Sequence, residues 1–267
     1  MLAGGGADRA GEGMSGRLAM GGRGPGDEDL QTPQARAALE QATDLFGYTT
    51  YIDRVPIRTG QNRHGSDNRE EISRARTALE IAYTGKKVAI VSSGDPGVFA
   101  MAAAVFEAID NGEPAWREID VTVIPGISAM FAAAARIGAP LGHDFCAISL
   151  SDNLKPWETV IRRLEAAASA DFVIALYNPI SRARPWQLGV AFDLLRAHRA
   201  PQTPVIFATA VSRADEQIEI TDLASADPAR ADMRTLVMIG SSATRLVPRP
   251  NGTPYVYTPR RVEAPVS

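Results

Sequence analysis

Two kinds of apolar pattern alternate along most of this chain. Short apolar runs are typical of buried parallel strands, and longer segments with apolar residues every three or four positions are typical of helices with one buried face. Their alternation predicts an α/β fold with mainly parallel sheets. The predicted strands are Val88–Val91, Val121–Ile124, Phe145–Leu150, Phe172–Leu176, Val205–Val211 and Arg234–Ile239. The predicted helices that alternate with them are Met101–Ile109, Ala129–Ile137, Trp157–Ala168 and Trp186–His198.

Two further helices are predicted before these elements. Thr32 is a favourable N-cap, and an apolar face recurs at helical spacing from Ala35 to Phe46. The second helix is predicted to begin after a cap at Asp67 or Asn68 and to end at Gly85.

The pattern changes near the end of the chain and predicts a second domain with a mixed sheet. Glu216–Ile220 alternates polar and apolar residues, as a half-exposed antiparallel strand does. We therefore predict a disordered leader at residues 1–17, an N-terminal α/β domain at 18–125, a C-terminal α/β domain at 126–247, and a tail at 248–267. We expect the tail, with its Tyr255-Val256-Tyr257 patch, to be loose or bound to a partner.

Composition and charge exclude several classes of partner. The chain has 267 residues and a formal net charge of −3, so it has no basic field that would attract nucleic acid or an anionic membrane. No apolar run approaches the roughly 18 residues of a membrane helix. With one cysteine and three histidines lacking metal-ligand spacing, we expect no metal, no disulfide and a reducing cytoplasmic location.

The loop Ser92–Phe99 is the strongest candidate for a ligand site, because it follows the predicted strand Val88–Val91. Loops at the carboxyl ends of parallel strands bind ligands in open α/β sheets. A phosphate-binding loop would carry Lys followed by Ser or Thr where this loop has Val98 and Phe99. The sequence therefore favours a ligand with little negative charge.

A second glycine loop, Gly22–Asp27, could be compared with a dinucleotide-binding turn. In that turn a helix begins at the third glycine, whereas here the helix begins only after Thr32, and Pro25 lacks the amide that a phosphate would use. A dinucleotide site is therefore disfavoured, and a plain turn is a further alternative.

Three further loops follow these two loops in order along the chain, each at the end of a predicted strand: Pro125–Ala129, Tyr177–Pro179 and Ala208–Ala210. Together they resemble the tetrapyrrole (corrin and porphyrin) methylases, over about residues 16 to 247. The resemblance implies two α/β domains with a cofactor cleft between them, S-adenosyl-L-methionine as cofactor, a tetrapyrrole substrate and a homodimer.

Four segments are similar to the branch of this family that acts on precorrin-3B. They are Asp67–Glu71, Ser93–Met101, Trp157–Glu158 and Ala175–Pro179. The similarity implies methylation at C17 with ring contraction to precorrin-4 in cobalamin biosynthesis. A methylase of another ring position, C11 or C20, and a non-catalytic tetrapyrrole-binding protein remain alternatives.

Carried over by motif, the family's cofactor contacts fall on small residues and act mostly through backbone groups. They are Pro25, Ser93, Gly94, Asp95, Val98, Ser128, Ala129, Asn178 and Ala208.

Ring contraction requires proton transfers, so we expect an acid or base near the substrate. Asp27 and His64 are the candidates, with capping of the loop by Asp27 and a structural role for His64 as the alternatives. A tetrapyrrole carries several carboxylates, which arginines bind well. Arg63, Arg182 and Arg184 are therefore the candidate substrate-binding residues, and a solvated surface turn is the alternative for the last two.

Overall fold

The structure, a computed structural model, describes residues 16–67, 70–181, 183–250 and 252–261. The strands of this part of the chain are β1 (Arg17–Gly22), β2 (Asp44–Tyr48), β3 (Asn62–Ser66), β4 (Lys87–Ser92), β5 (Asp120–Ile124), β6 (Gly138–Ala139), β7 (Phe145–Ser149), β8 (Val173–Tyr177), β9 (Pro204–Thr209), β10 (Gln217–Asp222), β11 (Thr235–Ile239), β12 (Arg245–Val247) and β13 (Tyr255–Tyr257). The α-helices are α1 (Pro33–Gln41), α2 (Thr49–Ile52), α3 (Glu71–Tyr83), α4 (Met101–Asp110), α5 (Ala129–Ile137), α6 (Trp157–Ser169) and α7 (Gln187–His198). The predicted α/β class is confirmed.

The chain folds into two compact units. The first unit contains the described residues up to Arg23 together with Gln31–Gly126. The second unit contains Gly24–Leu30 together with the described residues from Ile127 onward. The domain limits drawn from the sequence follow chain order and so assign Gly24–Leu30 to the N-terminal domain, whereas the structure groups it with the second unit. Of the predicted leader, the first fifteen residues lie outside the described residues, and Arg17 is the first residue of β1.

The first unit is built on a five-stranded parallel sheet in the order β3-β2-β4-β1-β5. Strand β1, between β4 and β5, is short of large side chains, but its Leu18 and Met20 are fully buried. Along β4, Val88 and Ile90 pack on one face of the sheet with residues of α3 and α4, and Val91 packs on the other face with residues that follow and precede β2. Burial on both faces explains the continuous apolar run of β4, and the predicted parallel N-terminal sheet is confirmed.

The helix predicted from Thr32 is correct at its start and wrong at its end. The Thr32 hydroxyl accepts a hydrogen bond from the Ala35 amide at 3.2 Å, so Thr32 is the N-cap. The helix ends at Gln41, and Leu45 and Phe46 lie in β2. Their spacing fits a helix, but pairing of β2 with both β3 and β4 determines the extended conformation.

Strand β3 and the start of helix α3 also differ from the sequence prediction. Strand β3 was not predicted because Asn62–Ser66 has no apolar run, and it forms an edge strand of the sheet. Helix α3 has Glu70 as its N-cap instead of Asp67. The other cap considered, Asn68, lies outside the described residues.

The second unit is built on a mixed five-stranded sheet in the order β10-β9-β11-β8-β7. Strands β7 and β8 are parallel, and the other neighbours are antiparallel. On one face Phe192 of α7 packs edge-on against Phe207 of β9, with ring centroids 6.1 Å apart. The other face packs against α5. The predicted mixed C-terminal sheet and its half-exposed antiparallel strand are confirmed.

The expectation that the tail is loose is wrong for the Tyr255-Val256-Tyr257 patch, and the alternative, that it is bound to a partner, stays a prediction. These residues form β13, which pairs with β12 and with β6 in a small third sheet, and Val256 is fully buried. Gly138 ends α5 with φ +134°, and a Cβ there would lie 2.6 Å from the Val256 carbonyl oxygen. The close pairing thus depends on a glycine at the end of α5.

Three findings concern membranes, metals and thiols. No helix of the described part of the chain is long and apolar enough to cross a membrane. Within the same residues, no group of three or more His, Cys, Asp or Glu side chains could hold a metal ion. Cys146 is a free thiol, and burial raises its pKa above the ordinary value although the charge of Arg199 opposes the shift.

Candidate functional site

The candidate site of the first unit lies at the carboxyl ends of β1, β4 and β5. These strands are parallel neighbours, so the loops that follow them meet at one edge of the sheet. The backbone amide of Arg23, directly after β1, donates to the carbonyl of Ser92 at the end of β4, at 2.9 Å. This edge carries four of the predicted cofactor residues, which all lie in the loop after β4: Ser93, Gly94, Asp95 and Val98.

Three glycine backbones pack against one another at this edge. A Cβ built on Gly126 would lie 2.2 Å from the Gly94 carbonyl oxygen, and one on Gly22 would lie 2.4 Å from the same oxygen. Gly94 itself has φ +63°, which side-chain-bearing residues rarely adopt. The glycines are therefore required by the close approach of three loops, whatever ligand these loops bind.

Asp95 connects two of these loops. Its Oδ1 accepts a hydrogen bond from the Gly97 amide at 2.7 Å, and its Oδ2 accepts one from the Gly126 amide at 3.0 Å. The amide of Val98 donates to the Asp95 carbonyl at 3.2 Å and closes a turn. Asp95 thus fixes the conformation of the loop after β4 relative to the residue that follows β5.

The candidate site of the second unit contains the start of α5. Ser128 is the N-cap of α5 and is 2% exposed, and its carbonyl accepts hydrogen bonds from Phe131 and Ala132, both at 3.1 Å. The hydroxyl of Tyr177, at the end of β8, hydrogen-bonds to Ser128 Oγ and accepts from the Met130 amide at 3.2 Å. Tyr177 belongs to the motif Tyr177–Pro179, but nothing in the sequence indicates its contacts with the start of α5.

Two other predicted cofactor residues of the second unit have different environments. Asn178 has φ +50°, and its side-chain amide donates to Ser149 Oγ at 3.0 Å. Ala208 lies inside β9, opposite Ile218 of β10 and Leu236 of β11, and is 1% exposed. Its methyl group therefore belongs to the core, and a ligand contact there would have to use the backbone.

The loop that contains Pro25 packs against the loop after β9. Arg213 Nε donates to the Pro25 carbonyl at 3.3 Å, and a Cβ on Gly26 would lie 2.7 Å from the Ser212 carbonyl oxygen. Asp27 is exposed, and its Oδ1 accepts from the Asp29 amide at 3.0 Å. The Asp27 carboxylate thus caps the short turn of 3-10 helix that follows it, which is the alternative role considered for it.

The loop after β9 is conformationally strained. Ala210 has φ +51° and Ser212 has φ +62°, although neither is glycine. Glu216 Oε2 accepts a hydrogen bond from the Ser212 amide at 2.6 Å and another from Arg136 Nε at 3.1 Å. These contacts hold the loop that faces Pro25, and no pattern in the sequence indicates them.

His64, the second catalytic candidate, is paired with a buried carboxylate. Its Nε2 lies 3.0 Å from Asp44 Oδ1, and its ring stacks on Phe46 with centroids 4.2 Å apart and an interplanar angle of 9°. Asp44 is the first residue of β2, so this contact lies towards the amino end of the strand. The glycine loops lie at the opposite, carboxyl ends.

Asp44 is only 1% exposed and is surrounded by donors. They are His64 Nε2 (3.0 Å), Asn62 Nδ2 (3.1 Å), Thr43 Oγ1 (3.0 Å) and Lys86 Nζ (3.5 Å). Burial alone would raise the pKa of Asp44, but these hydrogen bonds and the lysine charge outweigh burial and lower that pKa below its usual value.

The candidate substrate arginines make contacts within their own units. Arg63 donates to the carbonyls of Ile52, Val55 and Pro56, at and just after the end of α2. Arg182 lies outside the described residues.

Arg184 forms an ion pair with Asp152 and a hydrogen bond with Asn153, both in the loop after β7. Burial raises the pKa of Asp152, but the hydrogen bond and charge of Arg184, together with the other hydrogen bonds to this carboxylate, outweigh burial, so that pKa lies below its usual value.

Comparison with known proteins gives the following matches. A model of the family described as Tetrapyrrole (Corrin/Porphyrin) Methylases matches residues 18–227. A Sinorhizobium protein named precorrin-3B C(17)-methyltransferase is 57% identical over 247 residues, which are 92% of this chain and 97% of the relative. The cobalamin biosynthesis protein CobIJ of Mycobacterium tuberculosis is 50% identical over 252 residues, 93% of this chain, and the chain spans about half (49%) of that protein. A solved structure described as the methyltransferase CobJ superposes with a TM-score of 0.87 at 49% identity, covering 92% of this chain and 100% of that one.

Proposed function

The chain belongs to the tetrapyrrole (corrin/porphyrin) methylases, and we propose that it methylates precorrin-3B at C17, using S-adenosyl-L-methionine, with ring contraction to precorrin-4 in cobalamin biosynthesis. The observation that carries this proposal is the 57% identity to a precorrin-3B C(17)-methyltransferase over nearly the whole of both chains. A methylase of C11 or C20 and a non-catalytic tetrapyrrole-binding protein are less well supported, because the relatives at 50–57% identity carry the C17 and cobalamin names.

We assign the cofactor to the strand-end loops of both units. The loop after β4 is neutral except for Asp95, and its Gly94 backbone lies too close to Gly22 and Gly126 for either of these to carry a side chain. Such a loop suits a ligand with an adenosine moiety and a cationic sulfonium better than it suits a phosphate. The assigned residues are Pro25, Ser93, Gly94, Asp95, Val98, Ser128, Ala129, Asn178 and Ala208.

Bound S-adenosyl-L-methionine supplies an electrophilic methyl group for an in-line displacement. The protein's part in that step is alignment, which needs fixed loops and no strong base. Asp95 in the first unit and the hydroxyl of Tyr177 in the second each hold a strand-end loop through two hydrogen bonds. Each contact fixes a strand-end loop within its own unit.

For ring contraction we keep Asp27 and His64 as the candidate acid and base. Asp27 is exposed and bonded to a backbone amide, and His64 is bonded to Asp44. Asp27→Asn and His64→Gln therefore form a direct test of this assignment. A proton-transfer role predicts that a variant still methylates but accumulates product in which the macrocycle is not contracted. Unchanged product distribution in both variants would leave these residues with their structural roles alone.

For the substrate carboxylates we propose Arg63, Arg182 and Arg184. An arginine has five N–H groups, so the contacts of Arg184 to Asp152 and Asn153 leave donors for a carboxylate. Those contacts also fix the plane of the guanidinium group, which favours bidentate binding.

We also propose that the protein is a cytoplasmic homodimer. A single free cysteine suits a reducing compartment. Strands β12 and β13 expose Leu246, Val247 and Tyr255, which would give a second copy an apolar surface. Light scattering should give twice the mass of one chain, and Leu246→Lys should reduce it to one. A mass of one chain for the unmodified protein would refute the dimer.

The proposed activity is tested by incubating the purified protein with precorrin-3B and methyl-labelled S-adenosyl-L-methionine. The expected product carries the label at C17 of a contracted ring, as read by mass spectrometry and NMR. Label at C11 or C20 would indicate another methylase of the family. Tetrapyrrole binding without affinity for S-adenosylhomocysteine, measured by calorimetry, would indicate a carrier. A parallel incubation with the cobalt-containing substrate establishes which intermediate is used.

A further inference from the structure

The hydroxyl of Tyr177 accepts a hydrogen bond that the side chain of a helix N-cap residue usually accepts from the first turn. At the start of α5 it accepts the Met130 amide at 3.2 Å, and it also hydrogen-bonds to Ser128 Oγ. Ser128 has the extended backbone of an N-cap residue, with φ −66° and ψ 149°, yet within the described residues its side chain makes no cap bond to α5. The capping function of Ser128 is therefore performed by a residue 49 positions away.

This arrangement has a consequence for Ser128. A serine at an N-cap ordinarily turns its hydroxyl towards the amides of the first helical turn, because these lack partners within the helix. Tyr177 both satisfies one of these amides and engages the serine hydroxyl. It thereby holds Ser128 in an orientation that the isolated helix end would not favour.

The position of Tyr177 is itself fixed. Tyr177 pairs in register with Ser149 of the parallel strand β7. The next residue, Asn178, takes a left-handed conformation and donates from its side chain to Ser149 Oγ at 3.0 Å. The end of β8 is thus anchored to the end of β7, and the tyrosine ring extends from this anchored point to the start of α5.

We propose that Tyr177 is a positioning residue for cofactor binding: its hydroxyl sets the conformation of the Ser128–Ala129 turn that the cofactor contacts. The inference rests on the proposed function, in which this turn is assigned to S-adenosyl-L-methionine. Without the hydroxyl, Ser128 Oγ is released to cap α5 itself. The helix then stays formed while the turn changes shape.

The test uses the full chain with Tyr177→Phe, and Tyr83→Phe as the matched control, since Tyr83 is 52% exposed on α3 of the other unit. Calorimetry with S-adenosylhomocysteine should show the Kd of Tyr177→Phe raised about tenfold, the loss expected from one or two hydrogen bonds. The KM for the tetrapyrrole should stay within about twofold, and the Tm should stay close to that of the control. A Kd equal to that of the unmodified protein would overturn the inference. So would a Kd and a KM that rise together with a lowered Tm, since that is the result of a merely structural role.

A second variant separates action through Ser128 from a direct contact. If Tyr177 acts through the serine, Ser128→Ala should weaken S-adenosylhomocysteine binding, and adding it to Tyr177→Phe should cause little further loss. Fully additive losses would show that the two side chains act independently and would overturn the inference.

Hydrogen–deuterium exchange of the ligand-free protein makes failure of this inference distinguishable from failure of the proposed function. Tyr177→Phe should speed exchange in the peptide that contains Ser128–Ala132 and leave the rest of α5 unchanged. If the folded, unmodified protein binds no S-adenosylhomocysteine, the proposed function is wrong, and the exchange rates still decide whether the tyrosine sets the turn. Identical exchange in both proteins would refute that role.

Discussion

Replacing Asp95 tests whether the loop after β4 is held by the hydrogen bond between Asp95 and the Gly126 amide or only by its own turn. Asp95→Asn keeps the shape of the side chain, but an amide oxygen replaces one carboxylate oxygen and an NH2 group replaces the other. One of the two backbone donors, Gly97 at 2.7 Å or Gly126 at 3.0 Å, then faces another donor. Asp95→Ala removes both acceptors.

The expected magnitude follows from the two hydrogen bonds. Hydrogen bonds to a charged acceptor contribute about 1.5–3 kcal/mol each, and the lower end applies here because Asp95 is only half-buried. We expect Asp95→Asn to lower the free energy of unfolding of the protein by about 1.5 kcal/mol, and Asp95→Ala by about 3 kcal/mol. Binding of S-adenosylhomocysteine should weaken in the same order, since the loop that Asp95 fixes is part of the proposed cofactor site.

Urea unfolding and hydrogen–deuterium exchange measure these effects. The control is Asp53→Asn, which removes the same charge from an exposed residue of the same unit. Exchange at the Gly126 amide should accelerate in Asp95→Ala and stay unchanged in the control. If both Asp95 variants have the same free energy of unfolding and the same exchange rate at Gly126 as Asp53→Asn, the hydrogen bonds of Asp95 do not stabilise the loop and the reasoning is refuted.

Four further outcomes are expected. Gly126→Ala places a methyl 2.2 Å from a backbone oxygen of the loop after β4 and should cost about 2 kcal/mol or more in urea unfolding, whereas Gly189→Ala, whose Cβ would have its nearest neighbour at 3.7 Å, should cost nothing. Arg199→Met removes a buried guanidinium and its hydrogen bonds to Asp171 and to the Phe172 carbonyl, while Asp171, which is 44% exposed, keeps its hydrogen bonds from Ser242; the loss should be about 2–3 kcal/mol in thermal unfolding, and a loss below 1 kcal/mol would contradict this. Asp44→Asn should destabilise the protein at pH 7, because the folded-state pKa of Asp44 is lowered, and the difference from the unmodified protein should close as the pH falls below about 4; a difference independent of pH would be inconsistent with the charge mechanism. Arg184→Ala should raise the KM for the tetrapyrrole and leave cofactor affinity nearly unchanged, and equal weakening of both would count against its assignment.

Most of the alternation of strands and helices could be predicted from the sequence, because buried elements have strong periodicity. Strand β4 and helix α5 were predicted within a residue or two of their observed limits. The sequence pattern places Leu45 and Phe46 of β2 at the end of a helix, because they fit helical spacing. Their extended conformation is determined by the pairing of β2 with β3 and β4, which the pattern does not contain. Strand β3 is polar, so its place at the edge of the sheet is visible only in three dimensions.

The candidate site, like the fold, has one part that could be predicted from the sequence and one part that could not. The glycine loops could be predicted, because glycine directly after an apolar strand indicates a close approach of backbones. The structure shows this approach at Gly94, where three backbones meet. The contacts of Tyr177 and His64 could not be found, because each joins residues many positions apart, 49 for Tyr177 with Ser128 and 20 for His64 with Asp44. Sequence proximity carries no information about such pairs.

The assignment of Gly24–Leu30 to the second unit means that neither unit is a continuous piece of polypeptide. The boundary at Gly126–Ile127 looks like a natural place to divide the protein, but a fragment beginning at Ile127 would lack residues that belong to its own fold. Arg213 would lose the Pro25 carbonyl, and the strained loop at Ser212 would lose the glycine packed on it. A division at Gly126–Ile127 would therefore take residues from both units, and neither half would carry all of the chain that its own unit contains.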